Sequence, residues 1–106
     1  MNIFLDDIRN PPSNENWIVF RSSKKCSDFI LKNWNKVEKI SLDHDLGDEK
    51  LVGCGYDVIL DIEEFVFENR KKLNHIPQIF VHSSNSSARI KMENGIESIK
   101  RIYKKN

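Results

Sequence analysis

The chain has 106 residues, 39% of them hydrophobic and 31% charged, and its 17 basic and 16 acidic side chains give a formal net charge of +1. One core of ordinary size needs roughly 100 to 150 residues, so residues 1–106 read as a single domain, and the composition excludes a low-complexity or disordered chain. Total charge is excluded as a source of attraction to nucleic acid or to an anionic membrane.

In chain order, Met1 leads into Ile3, Phe4 and Leu5 and then into Asp6 and Asp7, which is no signal peptide. No apolar run approaches the ~18 residues of a membrane span, so no membrane is expected and residence is expected to be cytoplasmic. Ile3 to Leu5 is the first expected strand. Arg9 to Asn16, with Pro11, Pro12, Ser13 and three asparagines, cannot hold a useful helix. Trp17 to Phe20 is the second strand, and its direction stays open because a parallel crossover usually takes a dozen or more residues. A first helix is predicted where Cys26, Phe29, Ile30, Trp34 and Val37 recur at intervals of three and four, with Ser22 or Ser23 as its cap.

Lys39 to Leu42 is the third strand and runs into the acidic stretch DHDLGDEK, in which Asp48, Glu49 and Lys50 read as solvated loop. The second helix carries a stripe of Val58, Ile59, Ile62, Phe65 and Val66, with Asp57, Asp61, Glu63 and Glu64 on its other face. Gln78 to Val81 is the fourth strand. The third helix opens at Ser86 or Ser87 and carries Ala88, Met92, Ile96, Ile99 and Tyr103; Gly95 inside it costs about 1 kcal/mol relative to alanine. Lys100, Arg101, Lys104 and Lys105 crowd its end, where basic groups suit the helix dipole. Cys26 and Cys54 fit no disulfide scaffold and no zinc-binding spacing, so both are expected as reduced thiols.

Strands alternating with helices predict an α/β domain with a mostly parallel four-stranded sheet. The continuous apolar runs predict helices on both faces, and so three layers. In such a sheet ligands bind beyond the carboxyl ends of the strands. Strand one ends in Asp6 and Asp7, strand three in Asp43, His44 and Asp45, and strand four in His82, Ser83 and Ser84. Carboxylates brought that close raise one another's pKa unless a cation or proton relieves them. Arg9, His44, His82 and Arg89 supply part of the counter-charge, and a hard divalent ion such as magnesium suits the oxygens, whereas added imidazoles shift the preference toward manganese, zinc or iron. The blander reading of an acidic pair after a strand is a turn or a helix cap.

These residues resemble response-regulator receiver domains: an acidic pair after the first strand, an aspartate in LDHDLG after the third, and a small hydroxyl residue after the fourth. On that resemblance Asp6 and Asp7 match a magnesium pair, Asp43 the phosphoacceptor and Ser83 the hydroxyl residue. The chain lacks the fifth strand and its lysine, and the first connecting helix, so the implied fold is a truncated receiver-like (flavodoxin-like) domain. A resemblance over nearly the whole chain is to the cyclic-phosphate processing receiver-like family: LDDIRNPP at Leu5 to Pro12, Trp17, Leu42 to Gly47, Gly55 with Tyr56 and Asp57, and His82, Ser83 and Asn85. It implies a role on 2′,3′-cyclic phosphate ends of RNA or nucleotides, with such ends and RNA-repair proteins as partners.

For that chemistry Asp6, Asp7, Asp43 and Asp45 are assigned to a divalent metal, magnesium or manganese before zinc, that activates water and neutralises charge. His82 is assigned as general acid or base, with His44 as alternate. Arg9, Arg89 and Asn85 are candidates for holding phosphate, and Trp17 for stacking a base, although a strand tryptophan is more often core. A metal-free version takes His82, Ser83 and Ser84 as a histidine-x-serine arrangement with His44 as the second histidine, which has Leu46 where the matching hydroxyl would stand. The rival from another class is a non-catalytic receiver that binds a nucleotide, RNA end or protein, and a helical metal phosphohydrolase built on His44 and Asp45 conflicts with the strand before Asp43.

Overall fold

Four short strands, β1 (Asn2–Leu5), β2 (Trp17–Phe20), β3 (Lys39–Leu42) and β4 (Gln78–Val81), form one sheet in the order β2-β1-β3-β4. The computed structural model describes residues 1–12 and 15–104; Ser13 and Asn14 of the first connection and Lys105 of the basic end lie outside the described residues. All three strand pairs are parallel, which settles the direction of β2. The described residues of the connection from β1 to β2 hold no helix, and side-chain hydrogen bonds tie down its first part. Asp6 Oδ1 accepts from the amides of Ile8 and Arg9 at 2.9 and 2.8 Å, and Arg21 Nη1 donates to the carbonyls of Asp6 and Arg9, each at 3.0 Å.

The receiver-like α/β fold is as expected, but its layering differs. The chain steps from β2 to β3 and from β3 to β4 in the same direction across the sheet, and right-handed crossovers then put both connecting helices on one face. Those helices are α1 (Ser23–Lys32) and α3 (Gly55–Asn69), and α4 (Ser86–Lys104) packs beside α3. Ile3, Leu5, Ile40 and Leu42 meet Cys26, Ile30, Val58, Ile59, Ile62, Val66, Met92 and Ile96 in one core. Each large apolar side chain buried there contributes about 1.5–3 kcal/mol. The step from β1 to β2 runs the other way and would put a helix on the second face, yet its described residues carry none. Phe4, Trp17, Val19, Ser41 and Phe80 share that second face by register, and Val19 and Phe80 are 36% and 48% exposed. The described residues therefore form two layers, not three.

Helix boundaries depart from the periodic pattern in three places. Helix α1 stops before Trp34: the Asn33 amide bonds back to the Phe29 and Ile30 carbonyls and its side chain to Phe29, and a single 3-10 turn (Trp34–Lys36) follows. Trp34 and Val37 stay buried from outside the helix. The expected solvated loop at Asp48 to Lys50 is one helical turn, α2 (Glu49–Val52), whose first amides meet Asp48 Oδ1 at Lys50 N, 3.0 Å. Helix α4 runs unbroken through Gly95, where a Cβ would lie 2.6 Å from Ile59 Cγ2; the glycine lets α3 and α4 close on each other. Its cap is Asn85, whose Oδ1 accepts from Ala88 N at 3.1 Å, rather than either serine. Among the described residues no helix is long and apolar enough to cross a membrane.

Candidate functional site

The sheet register carries one residue past the strands. Leu5 pairs with Phe20 and with Leu42, and Leu42 with Val81, so the next rung holds Arg21, Asp6, Asp43 and His82 side by side. The backbone ladder continues into it: the amides of Asp6, Asp43 and His82 donate to the carbonyls of Phe20, Leu5 and Leu42 at 3.2, 2.9 and 2.9 Å. Residues 76 positions apart in the chain thus meet. His82 Nε2 lies 3.0 Å from Asp6 Oδ2 and Nδ1 lies 2.7 Å from Ser41 Oγ, while the ring stacks on Phe4 at 4.5 Å between centroids and 5° between planes. Arg9 Nη1 donates to the His82 carbonyl at 3.2 Å.

Asp6, Asp7 and Asp43 each place a carboxylate oxygen within 4.8 Å of the others. Burial drives Asp6 upward, but the amides of Ile8 and Arg9 and the bond to His82 outweigh it and hold its carboxyl below the usual range. Asp43 moves the other way: burial raises it, the His44 amide offsets part of that, and the nearby Asp6 charge adds to the rise. The pocket therefore sets against each other one carboxyl shifted toward ionisation and one whose charged form is disfavoured unless a cation stands nearby. Three oxygen donors so placed fit a hard divalent ion, magnesium or manganese.

A family model for the cyclic-phosphate processing receiver domain matches residues 1–98. The chain belongs to that family. No curated protein and no solved structure matches it. In this cyclic-phosphate processing receiver domain the remaining candidates are distributed unevenly. Asp45 does not join the three aspartates: Oδ1 is 2.8 Å from His44 Nδ1, Oδ2 receives Asn85 Nδ2 at 3.5 Å, and the His44 bond holds its carboxyl below the usual range. His44 is correspondingly turned to Asp45 and stands beside Glu49 and Cys54. Ser83 is buried and its Oγ accepts from Asn85 N at 3.1 Å, so both residues shape the turn into α4. Arg89 reaches toward Glu93 at 3.8 Å along the β4 edge. Trp17 begins β2, at the opposite end from the rung, and meets Phe4 edge-on at 5.8 Å.

Sequence reasoning missed Ser41, Phe4 and Arg21. Ser41 is a small polar residue set between the apolar Ile40 and Leu42 and two positions before Asp43, so it shares a face with it. Phe4 bears the same relation to Asp6. Arg21 follows β2 directly, where the strand-end rule that selected the other clusters applies equally.

Proposed function

We propose that this receiver domain is a phosphoesterase that opens 2′,3′-cyclic phosphates on RNA ends or nucleotides. The observation that carries the reading is the hydrogen-bonded series Asp6, His82, Ser41 beside the carboxylates of Asp7 and Asp43. An ionised Asp6 only accepts hydrogen bonds, so in neutral His82 the Nε2 carries the proton and Nδ1 accepts from the Ser41 hydroxyl. Asp6 and Ser41 thereby engage both ring nitrogens and hold the imidazole in one orientation, as proton transfer requires.

Ring opening adds water to phosphorus and breaks the bond to one ribose oxygen. In its imidazolium form, with the Asp6 carboxylate beside it, His82 would give its Nε2 proton to that oxygen and be left neutral, and the Asp43 carboxylate, made more basic by burial and the nearby Asp6 charge, would take the proton released by the attacking water. Arg9, exposed beside His82, turns its planar fork to the phosphate oxygens. Asp6, Asp7 and Asp43 would hold a divalent ion, which when bound supplies neutralisation of the phosphoryl charge. Substrate approaches from the face that no helix covers, which leaves room for a polymer end. RNA-repair proteins are the partners this reading implies.

The test is turnover of 2′,3′-cyclic nucleotides and cyclic-phosphate-ended RNA by purified protein with magnesium, manganese or zinc. His82→Ala is expected to lose about 10² to 10⁴ in rate, and Asp43→Asn to lose turnover as well, both with the fold intact. Wild-type protein that binds every such substrate and converts none overturns the proposal in favour of a binding module.

A further inference from the structure

A second cluster stands apart from the aspartate pocket. A ring nitrogen of His44, a carboxylate oxygen of Glu49 and Sγ of Cys54 lie within 4.8 Å of one another. The backbone brings them together. Gly55 N donates to the His44 carbonyl at 3.0 Å, Asp45 and Cys54 form an antiparallel bridge, and Gly53 N returns to the Glu49 carbonyl at 2.9 Å. The segment from β3 to α3 thus closes on itself and brings the three donors within reach of one ion.

His44 has the kind of carboxylate partner that metal-binding imidazoles commonly have. Its Nδ1 lies 2.8 Å from Asp45 Oδ1, and Asp45 in turn receives Asn85 Nδ2 at 3.5 Å. A carboxylate behind the ring fixes the tautomer and leaves Nε2 as the free nitrogen. One imidazole, one thiol and one carboxylate form a borderline donor set that suits zinc, whereas magnesium calls for oxygen alone. The lone pair of cysteines in the sequence hides this arrangement, because the partners of Cys54 are a histidine and a glutamate rather than Cys26.

We propose that His44, Glu49 and Cys54 form a zinc site with its fourth position open to water or a small ligand, separate from the Asp6, Asp7 and Asp43 pocket. Binding replaces the Cys54 thiol proton, which passes to solvent, and changes no oxidation state. Because His44 directly follows Asp43, a filled site pins the loop that carries Asp43. The site stands whether or not the protein is a phosphoesterase.

Titrating the full chain with cobalt(II) in saturating magnesium tests it. A thiolate-to-cobalt charge-transfer band in the near ultraviolet, saturating at one equivalent and bleached by zinc, is the expected result. The core thiol of Cys26 is fully buried and pushed up to about 12, so it adds no competing band. The band should vanish in Cys54→Ser, persist in Asp43→Asn, and require about 10- to 100-fold more cobalt in Asp45→Asn. Glu49→Gln, on an exposed turn, tests a ligand without risk to the core and should weaken binding at least tenfold. In unaltered protein, zinc should also slow alkylation of Cys54. Absence of the band, its survival in Cys54→Ser, or alkylation indifferent to zinc would each overturn the site.

Discussion

Ser41 is the smallest member of the constellation and the one whose role is most cleanly separable. Its hydroxyl touches His82 Nδ1 and stands between the buried Ile40 and Leu42, so replacing it removes one hydrogen bond and little else. A neutral hydrogen bond is worth about 1 kcal/mol, which is roughly fivefold in rate. Ser41→Ala is therefore expected to lower kcat about fivefold, leave KM unchanged and shift the pH profile of kcat, because the imidazole loses the partner that fixes its tautomer. Steady-state kinetics across pH would check this, and an unchanged profile would remove Ser41 from the machinery. At this scale the sequence was partly legible. Asp6, Asp43 and His82 announced themselves as polar residues ending apolar strands. Ser41 and Phe4 did not, because which residues share a face depends on the register between strands distant in sequence.

At the scale of elements, Gly95 sets two effects against each other. Alanine there gains about 1 kcal/mol of helix propensity. Its Cβ, however, would sit 2.6 Å from Ile59 Cγ2, and overpacking of a tight contact costs about 1–3 kcal/mol. Gly95→Ala is expected to destabilise the protein by about 1 kcal/mol in thermal unfolding, and Ile59→Ala should cost less in the Gly95→Ala background than alone. A stabilised Gly95→Ala would mean that the helices give way freely. All four strands were legible in the sequence as short apolar runs bounded by polar residues. The end of α1 was not, since Trp34 and Val37 keep the helical spacing while Asn33 ends the helix through its own hydrogen bonds. The single helical layer was equally hidden: Ile3, Phe4 and Leu5 of β1 look continuously apolar although only alternate residues face helices.

For the whole molecule, the acidic pocket ties stability to pH in two opposite senses. Asp6 and Asp45 have folded-state pKa values below the ordinary ~3.9, so their stabilisation is present above that value and is lost as pH falls through the lowered ones. Asp43 is raised, so the folded chain keeps a proton that the unfolded chain has released, and destabilisation grows as pH climbs from about 4 through the folded value. Asp43→Asn is accordingly expected to hold or raise the unfolding temperature at pH 7 and to leave it nearly unchanged at pH 3, measured by calorimetry. A marked fall at pH 7 would contradict the sign. Magnesium should stabilise the wild type by RT ln(1 + [Mg]/Kd), about 2.7 kcal/mol at a hundredfold excess over Kd, and should do so much less in Asp43→Asn.

Because Arg21, Asp6, Asp43 and His82 occupy one rung, the sheet serves as a ruler for the chemistry, and no separate device has to align the groups. One extra residue inside β4 would swing the imidazole to the helix-covered side, since side chains alternate along a strand. On the proposed phosphoesterase reading, strand pairing and reactivity are then one inheritance, and an assay for that reaction would double as a gauge of whether the strands have zipped in step.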